Sequence, residues 1–126
     1  MILVETQNRS GGEVGVGDAA ELACRVLAAE GVEDGELGIV FVGSEEMRVL
    51  KREHLGIDEA TDVLSFPLDG LETLPAGVPR ALGDVVLCPE VVGEEWRDPL
   101  VHGLLHLLGY DHGDEMAARE RAYASR

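Results

Sequence analysis

Three of the chain's four histidines fall within eleven residues, in the run His102-Gly103-Leu104-Leu105-His106-Leu107-Leu108-Gly109-Tyr110-Asp111-His112. His102 and His106 are four apart. On a helix of 3.6 residues per turn that spacing stacks two side chains on one face, about 40° apart, where both can grip one ion. Gly109 is the expected end of the helix, and three residues later His112 can swing back as a third ligand. Three imidazoles leave one position of a tetrahedral ion open, the pattern of a catalytic zinc site. One Zn2+ per chain is therefore the expected cofactor. His54 lies outside the cluster and reads as an ordinary packed or surface histidine.

The spacing HxxxHxxGxxH is similar to that of the metzincin peptidases, in which a glutamate beside the first histidine acts as general base. Gly103 occupies that place here, so a peptidase mechanism lacks its proton acceptor. Neutral ligands leave the charge of the ion uncompensated. That suits attraction of a phosphate oxygen and cleavage of a phosphodiester. Asp111 and Asp84 are the candidate catalytic acids, and Asp62 is a further carboxylate able to orient a ligating ring. Each has a plainer alternative. Asp111 could cap the final helix, Asp84 could be a strand-edge or bulge residue, and Asp62 a turn or cap residue.

The elements that must position these groups can be read from periodicity. Ile2 to Thr6 alternate as a first strand, followed by turn residues Asn8, Ser10, Gly11 and Gly12. Asp18 is the expected cap of a helix carrying Leu22, Val26 and Leu27, which Gly31 closes. Leu37 to Val42 is a second strand. Ser44 is the expected cap of a second helix, with Met47, Leu50 and Leu55 toward the core and Arg48, Lys51 and Arg52 on the other side. Those cations are either salt-bridged to Glu45, Glu46 and Glu53 or form a contact patch for RNA or a partner. Thr61 to Pro67 and Leu82 to Cys88 read as strands around an exposed, Gly- and Pro-rich loop from Asp69 to Ala81. A short helix or turn covers Pro89 to Trp96. Asp98 and Pro99 should open the metal-bearing helix as N-cap and first residue, and Asp114 to Tyr123 should form a final one. Ser65 and Phe66 are placed to line a cleft, although an aromatic in a short strand is more often core.

The chain has 126 residues, 45% hydrophobic and 28% charged, which fits one domain over residues 1–126 rather than a disordered or fibrous chain. No apolar run approaches the ~20 residues of a membrane span, and the start lacks the pattern of a signal peptide. A cytoplasmic address is the expectation, with no membrane partner. Cys24 and Cys88 are too few for a disulfide framework and read as two reduced, buried thiols. Ten basic against 25 acidic residues give a net charge of −15. Such a field repels a nucleic acid unless positive charge is concentrated locally.

The segment from His102 to His112 resembles the signature of the YbeY family of bacterial endoribonucleases, HGxLHLxGYDH, at every specified position. Thr61-Asp62-Val63-Leu64-Ser65-Phe66-Pro67 and Leu82-Gly83-Asp84-Val85-Val86 resemble two further blocks of that family, in the same order. The resemblance implies an α+β fold with a small mixed β-sheet packed with helices and the metal site on a helix near the C-terminus. It implies zinc held by His102, His106 and His112, and single-strand-specific cleavage of RNA. It also implies a part in ribosome quality control and in maturation of ribosomal RNA at the 3′ end of the small-subunit (16S) RNA. Single-stranded ribosomal RNA and the small ribosomal subunit are then the expected partners, and DNA is not. Two departures stand out: Leu55 aligns where the family usually carries an arginine, and the stretch from Pro89 to Pro99 is shortened. The competing expectation is a zinc-containing ribosome-assembly or binding factor with weak or no nuclease activity.

Overall fold

The computed structural model of the chain describes residues 1–124. Its elements run β1 (Ile2–Arg9), α1 (Val16–Ala29), β2 (Gly35–Val42), α2 (Ser44–Leu55), β3 (Val63–Pro67), β4 (Ala81–Leu87), α3 (Pro89–Val92), α4 (Arg97–Leu107) and α5 (Asp114–Ala124). The strands form one mixed sheet in the order β1-β2-β4-β3. β1, β2 and β4 are parallel, and β3 runs antiparallel to β4 along an edge. The α+β class and the small mixed sheet are as expected. Pro67 closes the edge strand, where a missing N–H is tolerated.

Alternation along β2 and β4 divides the core in two. Leu37, Ile39 and Phe41 with Val85 and Leu87 pack beneath α1, α4 and α5. Val42, Val86 and Cys88 pack with Met47 of α2 and Leu64 of β3 on the other face. The period-2 rule makes this division inevitable once both faces are covered. Helix α4, which carries His102 and His106, lies against β3 and β4 and touches α1 and α5.

Several local expectations are corrected. β1 continues to Arg9 because its pairing with β2 runs on to Val42. Gly15 rather than Asp18 is the N-cap of α1, and Asp18 sits in the first turn, where a carboxylate meets the positive end of the helix. Gly43 caps α2, so Ser44 becomes its first residue and its hydroxyl donates to Glu90 at 2.8 Å, tying α2 to α3. Trp96 precedes α4, placing Asp98 and Pro99 inside the first turn, where an absent N–H costs nothing. Met47 is buried, but Leu55 is 58% exposed, because it ends α2 beside left-handed Gly56. Cys88 is buried and Cys24 exposed, so only one thiol matches expectation. Cys24 follows core-facing Ala23 on the outer side of α1.

The cations of α2 are held by neighbours. Arg48 donates to Glu45 at 2.9 Å and to Asp58 at 3.1 Å, Lys51 to Glu59 at 3.0 Å, and Arg52 lies 3.9 Å from Asp58. Of the expected partners only Glu45 takes part in these pairs, and Glu46 pairs with Arg9 instead. This face is ion-paired, with Arg48 and Arg52 open to solvent and Lys51 largely covered. Among the described residues no helix is long and apolar enough to cross a membrane.

Candidate metal centre

Helix α4 buries Leu100, Val101, Leu104, Leu105 and Leu107 and leaves His102 and His106 half-buried on the opposite stripe. Gly103, between the histidines, turns to the sheet. A Cβ built there would stand 2.8 Å from Val85 Cγ1 and 3.1 Å from both Ser65 Oγ and Val63 Cγ2. The Ser65 hydroxyl donates to the Gly103 carbonyl at 3.0 Å. A side chain at position 103 would therefore collide with β3 and β4, which gives the missing glutamate a structural reason.

The helix ends by reversal. Gly109 takes φ +97°. Its N–H donates to the His106 carbonyl at 3.0 Å, and the Tyr110 N–H to the Leu105 carbonyl at 3.0 Å. This paired capping needs a residue without Cβ at the left-handed position. The turn returns His112 to the helix, with its ring centroid 5.1 Å from that of His102 and 4.7 Å from that of His106. One ligand nitrogen from each of the three rings lies within 4.8 Å of the others, close enough to hold a metal ion.

Hydrogen bonds orient two of the rings. His106 Nδ1–H donates to the Tyr110 carbonyl at 2.9 Å, and His102 Nδ1–H donates to Glu120 of α5. Acceptors on Nδ1 leave Nε2 as the atom able to ligate a metal. The two Nε2 atoms face each other at 3.0 Å, an approach of lone pairs that a shared cation stabilises. Burial, aided by the charges of His102 and His112, holds the His106 imidazole below its ordinary range against the Tyr110 carbonyl and Glu120. The neutral ring thus favoured is the form a metal requires.

The rings open into a cleft of about 880 Å³, also lined by Leu55, Asp62, Ser65, Asp111, Glu120 and Arg121. Asp111 thus joins the histidines. Asp62 lines the cleft while its carboxylate accepts the Val63 N–H at 2.8 Å, a turn role. Asp84 does not join them. Alternation in β4 turns Val85 toward α4 and Asp84 away, so Asp84 lines a separate groove with His54 and Phe66. Gly38 leaves it room, since a Cβ there would stand 2.1 Å from Asp84 Oδ1. Phe66 likewise leaves the metal cleft and meets His54 edge to face at 4.9 Å. Glu120 was not singled out from sequence. It is one acid among 25, in an element with no fixed spacing to His102.

Glu30, beyond the end of α1, accepts hydrogen bonds from Tyr110 Oη at 2.6 Å, from Arg119 Nη1 at 2.5 Å and from the Tyr123 hydroxyl. Burial alone would raise its carboxyl; the hydrogen bonds from Tyr110 and Tyr123 and the bond and charge of Arg119 outweigh it, leaving the group below its ordinary 4.5. A depressed native value means that the stabilisation is complete above the unfolded-state value and is lost as pH falls through the native one. Glu30→Gln is expected to flatten the acid limb of a stability-against-pH curve below about pH 5. Urea unfolding at a series of pH values measures this, and parallel limbs would contradict it.

An α+β protein with a mixed four-stranded sheet and a cleft whose three histidines could hold a metal ion is the class that fold and site define. The profile of the family Endoribonuclease YbeY matches residues 6–124. The chain belongs to that family. It is 42% identical over 136 residues to the Endoribonuclease YbeY of Acidothermus cellulolyticus, covering 93% of this chain and 83% of that protein. It is 44% identical over 103 residues to that of Halorhodospira halophila, covering 69% of this chain and 67% of that one. The fold is similar to the solution structure of TM1509 from Thermotoga maritima. There the TM-score is 0.63 at 25% identity, covering 99% of this chain and 87% of that one.

Proposed function

We propose that this protein is a zinc-dependent endoribonuclease that cuts single-stranded RNA. Its proposed place is the maturation of ribosomal RNA at the 3′ end of the 16S molecule and ribosome quality control, with the small ribosomal subunit as partner. The observation that carries the reading is the convergence of His102, His106 and His112 in an open cleft, within a chain whose family is named for endoribonuclease activity. Zinc held by these residues would supply Lewis acidity toward a phosphate oxygen and activation of water at neutral pH. Glu120 and the Tyr110 carbonyl keep the rings of His102 and His106 aimed at the ion. Asp111, beside His112 in the cleft, is the carboxylate placed to move a proton.

Binding an anionic chain is the harder requirement at −15 net charge. Among the described residues lining the cleft, Arg121 is the one lysine or arginine, set against Asp62, Asp98, Asp111 and Glu120. Arg121→Ala is expected to weaken RNA binding and to lower the slope of log affinity against log salt by about 0.7, one phosphate contact on a single strand. Filter binding at several salt concentrations gives the slope, and an unchanged slope would take Arg121 out of the interface.

The same acidic lining, with exposed Leu55 at the cleft, favours a second reading, an assembly or binding factor with weak nuclease activity. Incubation of zinc-loaded protein with single-stranded RNA, duplex RNA and DNA, beside a His102→Ala/His106→Ala variant, separates the two. Cleavage of single-stranded RNA by the parent alone is the expected result. Cleavage that persists in the variant would remove the metal mechanism, and RNA binding without cleavage by either would favour the binding factor.

A further inference from the structure

Glu30 does not line the metal cleft, yet its side chain is only 5% exposed. A buried carboxylate is costly unless its oxygens are well supplied with donors. Here the donors come from two segments, and both segments also touch the metal ligands. Tyr110 gives its hydroxyl to Glu30 while its carbonyl accepts the His106 Nδ1–H. Helix α5 gives Arg119 and Tyr123 to Glu30, and its Glu120, next to Arg119, accepts from His102. The Arg119 guanidinium also lies over the Tyr110 ring, 5.2 Å from its centroid, so the two segments meet.

We infer that Glu30 is a positioning residue of the metal centre, which fixes Tyr110 and α5 and through them the aim of His106 and His102. An apolar side chain could fill the same space with less desolvation. What the carboxylate adds is direction, since only an ionised group accepts from two phenols and a guanidinium at once. The inference rests on the three histidines holding a metal.

The test titrates zinc, and separately cobalt(II), into the full chain by chelator competition. Four proteins are compared: the parent, Glu30→Gln, Tyr110→Phe and the double variant. Outer contacts of ligating histidines are worth roughly 10–100-fold in affinity, and one step further out the low end, about tenfold, is expected for each single variant. A shifted cobalt absorption spectrum should accompany the loss. Because both changes break the same Tyr110–Glu30 bond, the double variant should lose less than the product of the two. A purely structural Glu30 would lower the melting temperature of the metal-free protein and leave metal affinity and cobalt spectrum as in the parent, which would overturn the inference. If Glu30→Gln does not fold, Tyr110→Phe decides alone. It keeps Arg119 and Tyr123 on Glu30, and parental affinity in it overturns the inference. Failure of the parent itself to bind either ion would instead sink the metal-centre reading.

Discussion

His106→Ala is expected to cost more metal affinity than any other single change in the centre and to bring RNA cleavage down to background. His106 is the middle ring of the three, with centroids 4.5 Å from His102 and 4.7 Å from His112. Its Nδ1 is anchored on a backbone carbonyl at 2.9 Å, and burial favours its neutral form. Removing it leaves His102 and His112 as a pair 5.1 Å apart, without the ligand that bridges them. The loss should exceed the roughly 10–100-fold typical of an outer contact. His112→Ala should cost less, because that ring is exposed and sits on the loop after α4. Chelator competition ranks the variants. A His106→Ala protein within tenfold of the parent would show that the ion is held elsewhere.

Gly103→Val should produce a large loss of stability. The Cβ alone would overlap Val85 Cγ1 at 2.8 Å, and the two valine methyls would then press on Ser65 and Val63. Those neighbours offer little relief: Val85 is fully buried and stiff at χ1, and the Ser65 hydroxyl is committed to the Gly103 carbonyl. Overpacking of this kind costs about 1–3 kcal/mol, and the upper end is expected because α4 can relax only by leaving the sheet. For a chain of this size about 3 kcal/mol lowers the melting temperature by roughly 10 °C or more. Metal affinity should fall with it, since displacing α4 moves two ligands relative to Glu120. Thermal unfolding with and without zinc measures both, and a melting point within two or three degrees of the parent, about the shift of 1 kcal/mol or less, would count against the close packing of Gly103.

Features confined to one short stretch of chain were legible in advance. The helix carrying His102 and His106, its termination at Gly109 and the return of His112 all follow from local spacing and from the need for a left-handed glycine. The strands and most helices follow from periodicity. Cap positions shifted by a residue or more because several residues near each start could serve: Gly15 displaced Asp18, and Gly43 displaced Ser44. The cations of α2 were seen with two possible fates. Asp58 and Glu59, beyond the end of the helix, drew them into ion pairs.

The sequence by itself therefore determined the three-histidine cluster, because three histidines within eleven residues depend only on helix pitch and one turn. Only the tertiary structure decided which acids serve them. Asp84 was a fair candidate by type, but a strand alternates every residue, and the parity that sends Val85 to α4 sends Asp84 to the other face. Glu120 and Glu30 reach the centre across 18 and 80 positions of chain, to His102 and Tyr110 respectively, through the packing of α5 and α1 against α4. No local period encodes such contacts. They exist because the sheet order β1-β2-β4-β3 places those helices on one face, and pairing between strands distant in sequence sets that order.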